Sequence, residues 1–202
     1  YFLYKTAEEL FSPRVGIFAT LFVSANALFN FYAHLSKVEV PHVFWAVLAL
    51  YMLVKAVRYE KTKHYVLSAL FITFSFCTKD QAYAIFVLPM IFYLLIYPII
   101  FRGSDKKVRD ILFSKNLWIF AAVFISFTVL LQNPLFNMEG LIFRFNRLTG
   151  ENTSRSVAYT YTLMGMWHLL IDSSRSLMKG AMGIGIFALS MAGLVLFLLK
   201  PK

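Results

Sequence analysis

Residues 76–89 are FCTKDQAYAIFVLP. Lys79 and Asp80 stand side by side in an otherwise apolar run, and between residues 65 and 101 no other Asp, Glu, Lys, Arg or His occurs. A charge among apolar side chains loses hydration, so it must find a partner, reach water or serve a purpose. The architecture of the chain turns on the medium around this run.

Composition identifies that medium. Of the 202 residues, 59% are hydrophobic and only 15% charged, and the mean hydropathy is +0.67. Soluble domains run nearer half apolar and about a quarter charged. Phe contributes 22 residues and Tyr 11, the profile of lipid-embedded helices with aromatic interfaces. A soluble fold of this size leaves too much surface in water to hide so many apolar side chains. The chain is therefore expected to be an integral membrane protein. Its net charge of +10 does not point to a nucleic-acid partner. The basic residues form short clusters between apolar runs, not one stripe interleaved with aromatics. The single Cys77 offers no disulfide framework and reads as a small core residue. The chain opens at Tyr1 without an initiator Met or a signal-peptide layout. It is expected to be a piece of a larger protein, with residues 1–4 the tail of a preceding span.

A transmembrane helix needs about 20 apolar residues. Runs at 15–32, 43–57, 65–77, 82–101, 117–131 and 182–199 are the candidates, the first with Ser12 as N-cap and Pro13 at the first helical position. With every run crossing and the N-terminus cytoplasmic, thirteen of the 20 Lys and Arg residues fall on the cytoplasmic side, all in short segments. That is the positive-inside asymmetry. The run 65–77 rises only about 20 Å against a hydrocarbon core of roughly 30 Å. Merging 65–101 into one crossing would put its flanking basic clusters on opposite sides. A hairpin, full-depth or re-entrant, keeps them together and places Thr78-Lys79-Asp80-Gln81 at its apex. The expected fold is an all-α polytopic transmembrane bundle. It forms one domain over 1–202, and an outer loop at 133–179 carries an interfacial helix.

Three polar features then share the outer face: the loop 34–42, the hairpin apex, and 133–179. Lys79 and Asp80 are either functional groups at membrane depth or an interfacial pair that snorkels. Glu39 is either a working carboxylate or a solvated helix start, where a negative charge suits the dipole. His34 and His42 flank it, yet the spacing matches no tight metal signature and no metal is assigned. His64 and His168 read as structural. Arg144 and Arg147, with Arg155, are able to meet a phosphate by bidentate pairing or to be ordinary interfacial arginines. Within 159–178, Leu163, Met164, Trp167, Leu170, Ile171, Leu177 and Met178 recur at helical spacing, the stripe of a helix lying on a membrane surface. Asn152-Thr153-Ser154 is a glycosylation sequon. No Ser-His-Asp or Cys-His set and no Walker-type loop occurs.

The order of these features resembles the GT-C superfamily of polytopic glycosyltransferases. The nearer likeness is to glycosyltransferase family 39, the dolichyl-phosphate-mannose protein mannosyltransferases, with the aminoarabinose transferases of lipid A as relatives. The resemblance rests on Ser36-Lys37-Val38-Glu39-Val40-Pro41, on Phe76-Cys77-Thr78-Lys79 with Leu88-Pro89, and on Asn133-Pro134-Leu135 through Gly140, Arg144 and Leu148-Thr149-Gly150. It covers most of the chain with short, individually degenerate motifs. It implies inverting transfer of a sugar from a polyprenyl-phosphate donor to a lipid, glycan or protein acceptor on the periplasmic or lumenal face, without a cofactor. It also implies a main catalytic carboxylate in a loop preceding Tyr1. Glu39 matches the family's second acidic motif, usually Asp, and Lys79 matches the Thr-Lys lysine. Asp80 stands where relatives often carry Gly.

The residue chemistry is compatible. A lipid phosphate needs a cation as it becomes the leaving group, and an acceptor hydroxyl needs a carboxylate to orient or deprotonate it. Lys79, Lys37, Arg144 and Arg147, with Asp80 beside the first, are the candidate phosphate-binding residues; Glu39 is the assisting catalytic carboxylate. The competing function is a transporter or lipid flippase with Lys79 and Asp80 lining a path. Related repeats and polar groups in several spans would mark it, whereas the other spans here are nearly devoid of charge.

Overall fold

The computed structural model describes residues 1–35, 38–79, 82–96, 109–110, 113–133, 136–149, 162–181 and 183–199. Among them all regular structure is helical. Chain contacts divide the protein into two compact units, residues 1–25 with 30–131 and residues 26–29 with 132–202.

The first unit begins with α1 (Phe2–Leu10) and α2 (Pro13–Ala25). Ser12 caps α2 as expected, its Oγ accepting the Val15 N–H at 3.4 Å, and Pro13 starts the helix without wasting a donor. The uninterrupted span expected at 15–32 is not formed. Asn26 Oδ1 accepts the Phe29 N–H at 2.9 Å, acting as the N-cap of a separate α3 (Ala27–His34). An Asn side chain that competes with the helical ladder in this way is a helix starter inside an apolar run.

The centre of the unit is the pair α4 (Glu39–Tyr59) and α5 (Thr62–Thr78). Glu60 ends α4 in the left-handed region at φ 52, its N–H closing on Ala56 O at 2.9 Å, and Lys61 is the N-cap of α5. This two-residue turn makes the helices antiparallel neighbours. Their seam is lined by small or polar residues, with Ala49, Ala56, Ser68, Ala69, Thr73 and Ser75 fully buried. Ser68 Oγ donates across it to Ala49 O at 3.2 Å. Small side chains let helices approach closely and gain dispersion contacts where no water drives association. The α5 arm has 17 residues, about 25 Å at 1.5 Å each. It is longer than the apolar run suggested because Thr62, Lys63, His64 and Thr78 also join the helix.

After Lys79 the chain turns into α6 (Ala82–Met90), which widens into a π-helical segment at Ile91–Ile96. Pro89 lies inside α6; it lacks an N–H and its ring crowds the preceding turn, so the ladder loses one bond there, shortly before the π-helical segment. Phe86 packs with Ala46 and Ala49, whereas Leu94 packs with Leu53 and Val57. Hence α6 runs parallel to α4 and antiparallel to α5, and α5 and α6 form a hairpin whose bend follows Thr78. Helix α7 (Lys115–Gln132) adds Phe120 to the same core, with Leu117 near Leu53 and Val57 and Phe124 against Phe76. It therefore runs antiparallel to α4. Among the described residues two helices, α4 and α7, are long and apolar enough to cross a membrane. Exposed Trp118, Ile125 and Leu130 on α7 and Ile17, Phe18 and Leu21 on α2 supply apolar surface that suits hydrocarbon better than water.

The second unit holds α8 (Met138–Thr149), α9 (Leu163–Ser176) with a π-helical extension at Leu177–Ala181, and α10 (Gly183–Leu199). Helix α9 is the stripe-bearing helix anticipated within 159–178, and Trp167, Met164 and Leu170 are exposed on it. The sequon Asn152-Thr153-Ser154 lies outside the described residues.

Two contacts generate predictions. A Cβ on Gly16 would sit 2.8 Å from the Tyr4 carbonyl oxygen and 2.8 Å from its ring, so Gly16→Ala forces α1 away from α2. Overpacking of this kind costs about 1–3 kcal/mol, and a thermal melt in detergent should show a lower midpoint than wild type.

At the basic end of the hairpin, His64 is buried and its Nδ1 has no hydrogen-bond partner. Burial, then the charges of Lys55, Lys63 and Lys61, push its pKa below the ordinary value of 6.5. The unfolded chain therefore takes up a proton more readily, so stability is unaffected above 6.5 and falls as pH drops below it. His64→Phe should flatten that acid limb in pH-dependent melts.

Candidate functional site

The site is built at the end of the α4–α5 pair opposite its turn. Glu39 is the first residue of α4, where the helix dipole favours a negative charge. Lys79 is the C-cap of α5, where the dipole favours a positive one. Because the helices are antiparallel, these two ends meet. Lys79 Nζ donates to Glu39 Oε1 at 3.2 Å, with side chains 32% and 35% exposed. Residues 40 apart in sequence thus become one carboxylate–ammonium pair, half sheltered and open on one side. Lys79 leaves the helix in extended backbone, φ −148 and ψ 118, which turns its side chain out of the helical path.

One turn deeper lies a second polar contact that sequence reasoning did not find. His42 and Ser75 are both buried. Their atoms meet at three places: Ser75 Oγ to His42 Nδ1 at 2.9 Å, Ser75 Oγ to His42 O at 3.2 Å, and His42 Nδ1 to Ser75 O at 3.3 Å. One assignment uses all three. Nδ1–H donates to Ser75 Oγ and shares its proton with the Ser75 carbonyl, while the Ser75 hydroxyl donates to the His42 carbonyl. The hint in the sequence was a His three residues after an acid at a helix start; its partner, Ser75, looked like any small residue in an apolar helix.

The other anticipated residues are distributed as follows. Lys37 and Asp80 lie outside the described residues, as does Arg155. Arg144 and Arg147 fall one turn apart on α8 in the second unit. A segment this long between apolar runs is expected to carry function or its own helices; here Asn137 Oδ1 caps a helix by accepting the Gly140 N–H at 3.1 Å, and Glu139 occupies its first turn. His34 Nδ1 contacts Asn30 O at 2.7 Å, and His42 Nδ1 is engaged by Ser75. Among the described residues no group of three or more His, Cys, Asp or Glu is arranged to hold a metal ion.

At the far end of the same helices basic residues outnumber the acidic Glu60 and Glu9. Lys55, Arg58, Lys61 and Lys63 lie on or beside the turn, Arg58 pairing with Glu9 of α1 at 3.0 Å and Lys55 lying 5.0 Å over the Tyr51 ring. The α4–α5 pair is polarised, with an acid–base pair at one end and a mainly basic collar at the other.

The apolar helices α4 and α7, of bilayer length, are consistent with a membrane-integral protein. The family model for dolichyl-phosphate-mannose-protein mannosyltransferase matches residues 1–131, well over half the chain and the whole stretch holding Glu39, His42, Ser75 and Lys79. The chain belongs to that family, and it is a membrane glycosyltransferase of the mannosyltransferase-like kind. The Asn133–Gly150 likeness lies beyond the matched residues. No curated protein and no solved structure matches the chain.

Proposed function

We propose that the chain contributes the Glu39–Lys79 pair to an enzyme that moves a sugar from a polyprenyl-phosphate donor to an acceptor hydroxyl on the periplasmic or lumenal face of a multi-pass membrane domain. The observation that carries this reading is the 3.2 Å contact between Lys79 Nζ and Glu39 Oε1 in a chain of this family. In the transfer, the acceptor oxygen bonds to the anomeric carbon and the bond from that carbon to the phosphate oxygen breaks. The phosphate leaves with the electron pair. A cation is needed where that charge grows, and Lys79 supplies it. The acceptor hydroxyl loses its proton to a carboxylate, and Glu39 assists by orienting or accepting it.

The resting pair is nearly neutral. A phosphate that draws Lys79 toward itself releases Glu39 from its ammonium partner and leaves the carboxylate available to the acceptor hydroxyl when the donor is bound. Lys37, Asp80, Arg144 and Arg147 are proposed, from the sequence alone, as further residues for handling the donor phosphate. The outward orientation is supported by the charge polarity of the hairpin. Lys55, Arg58, Lys61 and Lys63 at the turn favour the cytoplasm by the positive-inside rule, which leaves the opposite pole facing away from it.

Membranes carrying the full-length protein should transfer radiolabelled mannose from dolichyl-phosphate-mannose. Lys79→Ala and Glu39→Gln should each lower the rate by about 10–1000-fold. Their amounts in the membrane should stay near wild type, because a half-exposed ion pair contributes only about 0–1 kcal/mol. Wild-type rates in both variants would overturn the site. Absence of transfer by wild type from this donor and from other polyprenyl-phosphate sugars would overturn the function.

A further inference from the structure

We infer that His42 and Ser75 are positioning residues for glycosyl transfer: their buried contact sets the separation and register of Glu39 and Lys79. This rests on the site reading above and extends it to two residues that act through the Glu39–Lys79 pair.

The two contacts are rungs of one ladder. Glu39 and His42 are one turn apart at the start of α4, and Ser75 and Lys79 are one turn apart at the end of α5. The upper rung is half exposed and made by two long side chains, so by itself it leaves many rotamers open. The lower rung is buried and made by short side chains with few rotamers, tied at 2.9 Å and 3.2 Å.

The Ser75 carbonyl joins the rungs directly. It accepts the Lys79 N–H at 3.0 Å, the last helical hydrogen bond of α5, and it lies 3.3 Å from His42 Nδ1. The same oxygen therefore fixes where the Lys79 backbone leaves the helix and how α4 is seated against it.

Neighbouring seam positions do not do this. Ala46, Ala49, Ala69 and Ile72 present apolar surface that tolerates sliding along the helix axis. Farther down, Ser68 donates to a backbone carbonyl, a partner every turn of α4 offers. Only a side chain-specific contact next to the site selects one register there.

The test uses the full-length enzyme in membranes with dolichyl-phosphate-mannose as donor, rates being expressed per folded molecule by fluorescence-detected size exclusion. His42→Leu and Ser75→Ala should lower kcat about tenfold or more while the donor KM changes less than about threefold, because misplaced groups slow chemistry more than binding. His42→Asn keeps an N–H donor in the place of Nδ1 and should retain a rate within about threefold of wild type. Ser75→Ala removes one oxygen atom and carries the test alone if His42→Leu does not accumulate.

The coupling is read from Lys79→Ala combined with Ser75→Ala, which should be no slower than Lys79→Ala alone within about twofold. Wild-type kcat in Ser75→Ala would overturn the inference. So would a full multiplicative loss in the double variant, or equal losses in His42→Asn and His42→Leu. Wild-type rates in Lys79→Ala would instead mark failure of the site reading itself.

Discussion

The close seam between α4 and α5 is the constraint on which the rest of the first unit depends. Ala49, Ser68, Ala69 and Ser75 have no exposed surface, and only side chains this small allow two helices to lie near enough for a Ser hydroxyl to reach a backbone carbonyl on its neighbour. In hydrocarbon no hydrophobic force gathers helices, so such contacts and the dispersion between them do the work of association. Helices α6 and α7 then pack against the ridge this pair presents, through Phe86, Leu94 and Phe120.

From the seam follows the charge arrangement. Antiparallel helices bring the N-terminus of one beside the C-terminus of the other. A carboxylate on the first and an ammonium on the second are each favoured by their own helix end and by each other. The awkward lysine of the Thr-Lys-Asp-Gln segment is thus neither stranded nor merely snorkelling: its partner lies 40 positions earlier. Glu39, which in isolation resembles an ordinary helix start, is one, and it is half of the pair as well. The two meanings are not alternatives, because the helix end is what puts the carboxylate in reach.

What was legible in the sequence was what depends on local pattern and bulk solvent. The apolar runs, the Ser12-Pro13 helix start, the hairpin bend after Thr78 and the helical stripe through Trp167 all follow from periodicity, caps and charge counts. The interruption at Asn26 was missed because hydropathy averages over one amide. The bounds of α8 were not legible because Gly140 and the arginines blur its pattern, although the Asn137 cap and Glu139 mark its start. Within the site, Glu39 and Lys79 were legible as types. Their contact was not, since it depends on the register of two helices. The His42–Ser75 rung was hidden for the same reason, and Ser75 carries no chemical signal until its neighbour is known.

The two-residue turn at Glu60 and Lys61 closes one end of the helix pair, Glu60 holding a left-handed conformation. Lys79 lies at the tip of an arm about 25 Å long. A change of about 2° in the angle between the arms would displace the tip by about 1 Å, enough to carry a 3.2 Å contact out of hydrogen-bonding range. The ion pair therefore tolerates almost no play in the seam, and the buried side chains between turn and tip are what hold the angle.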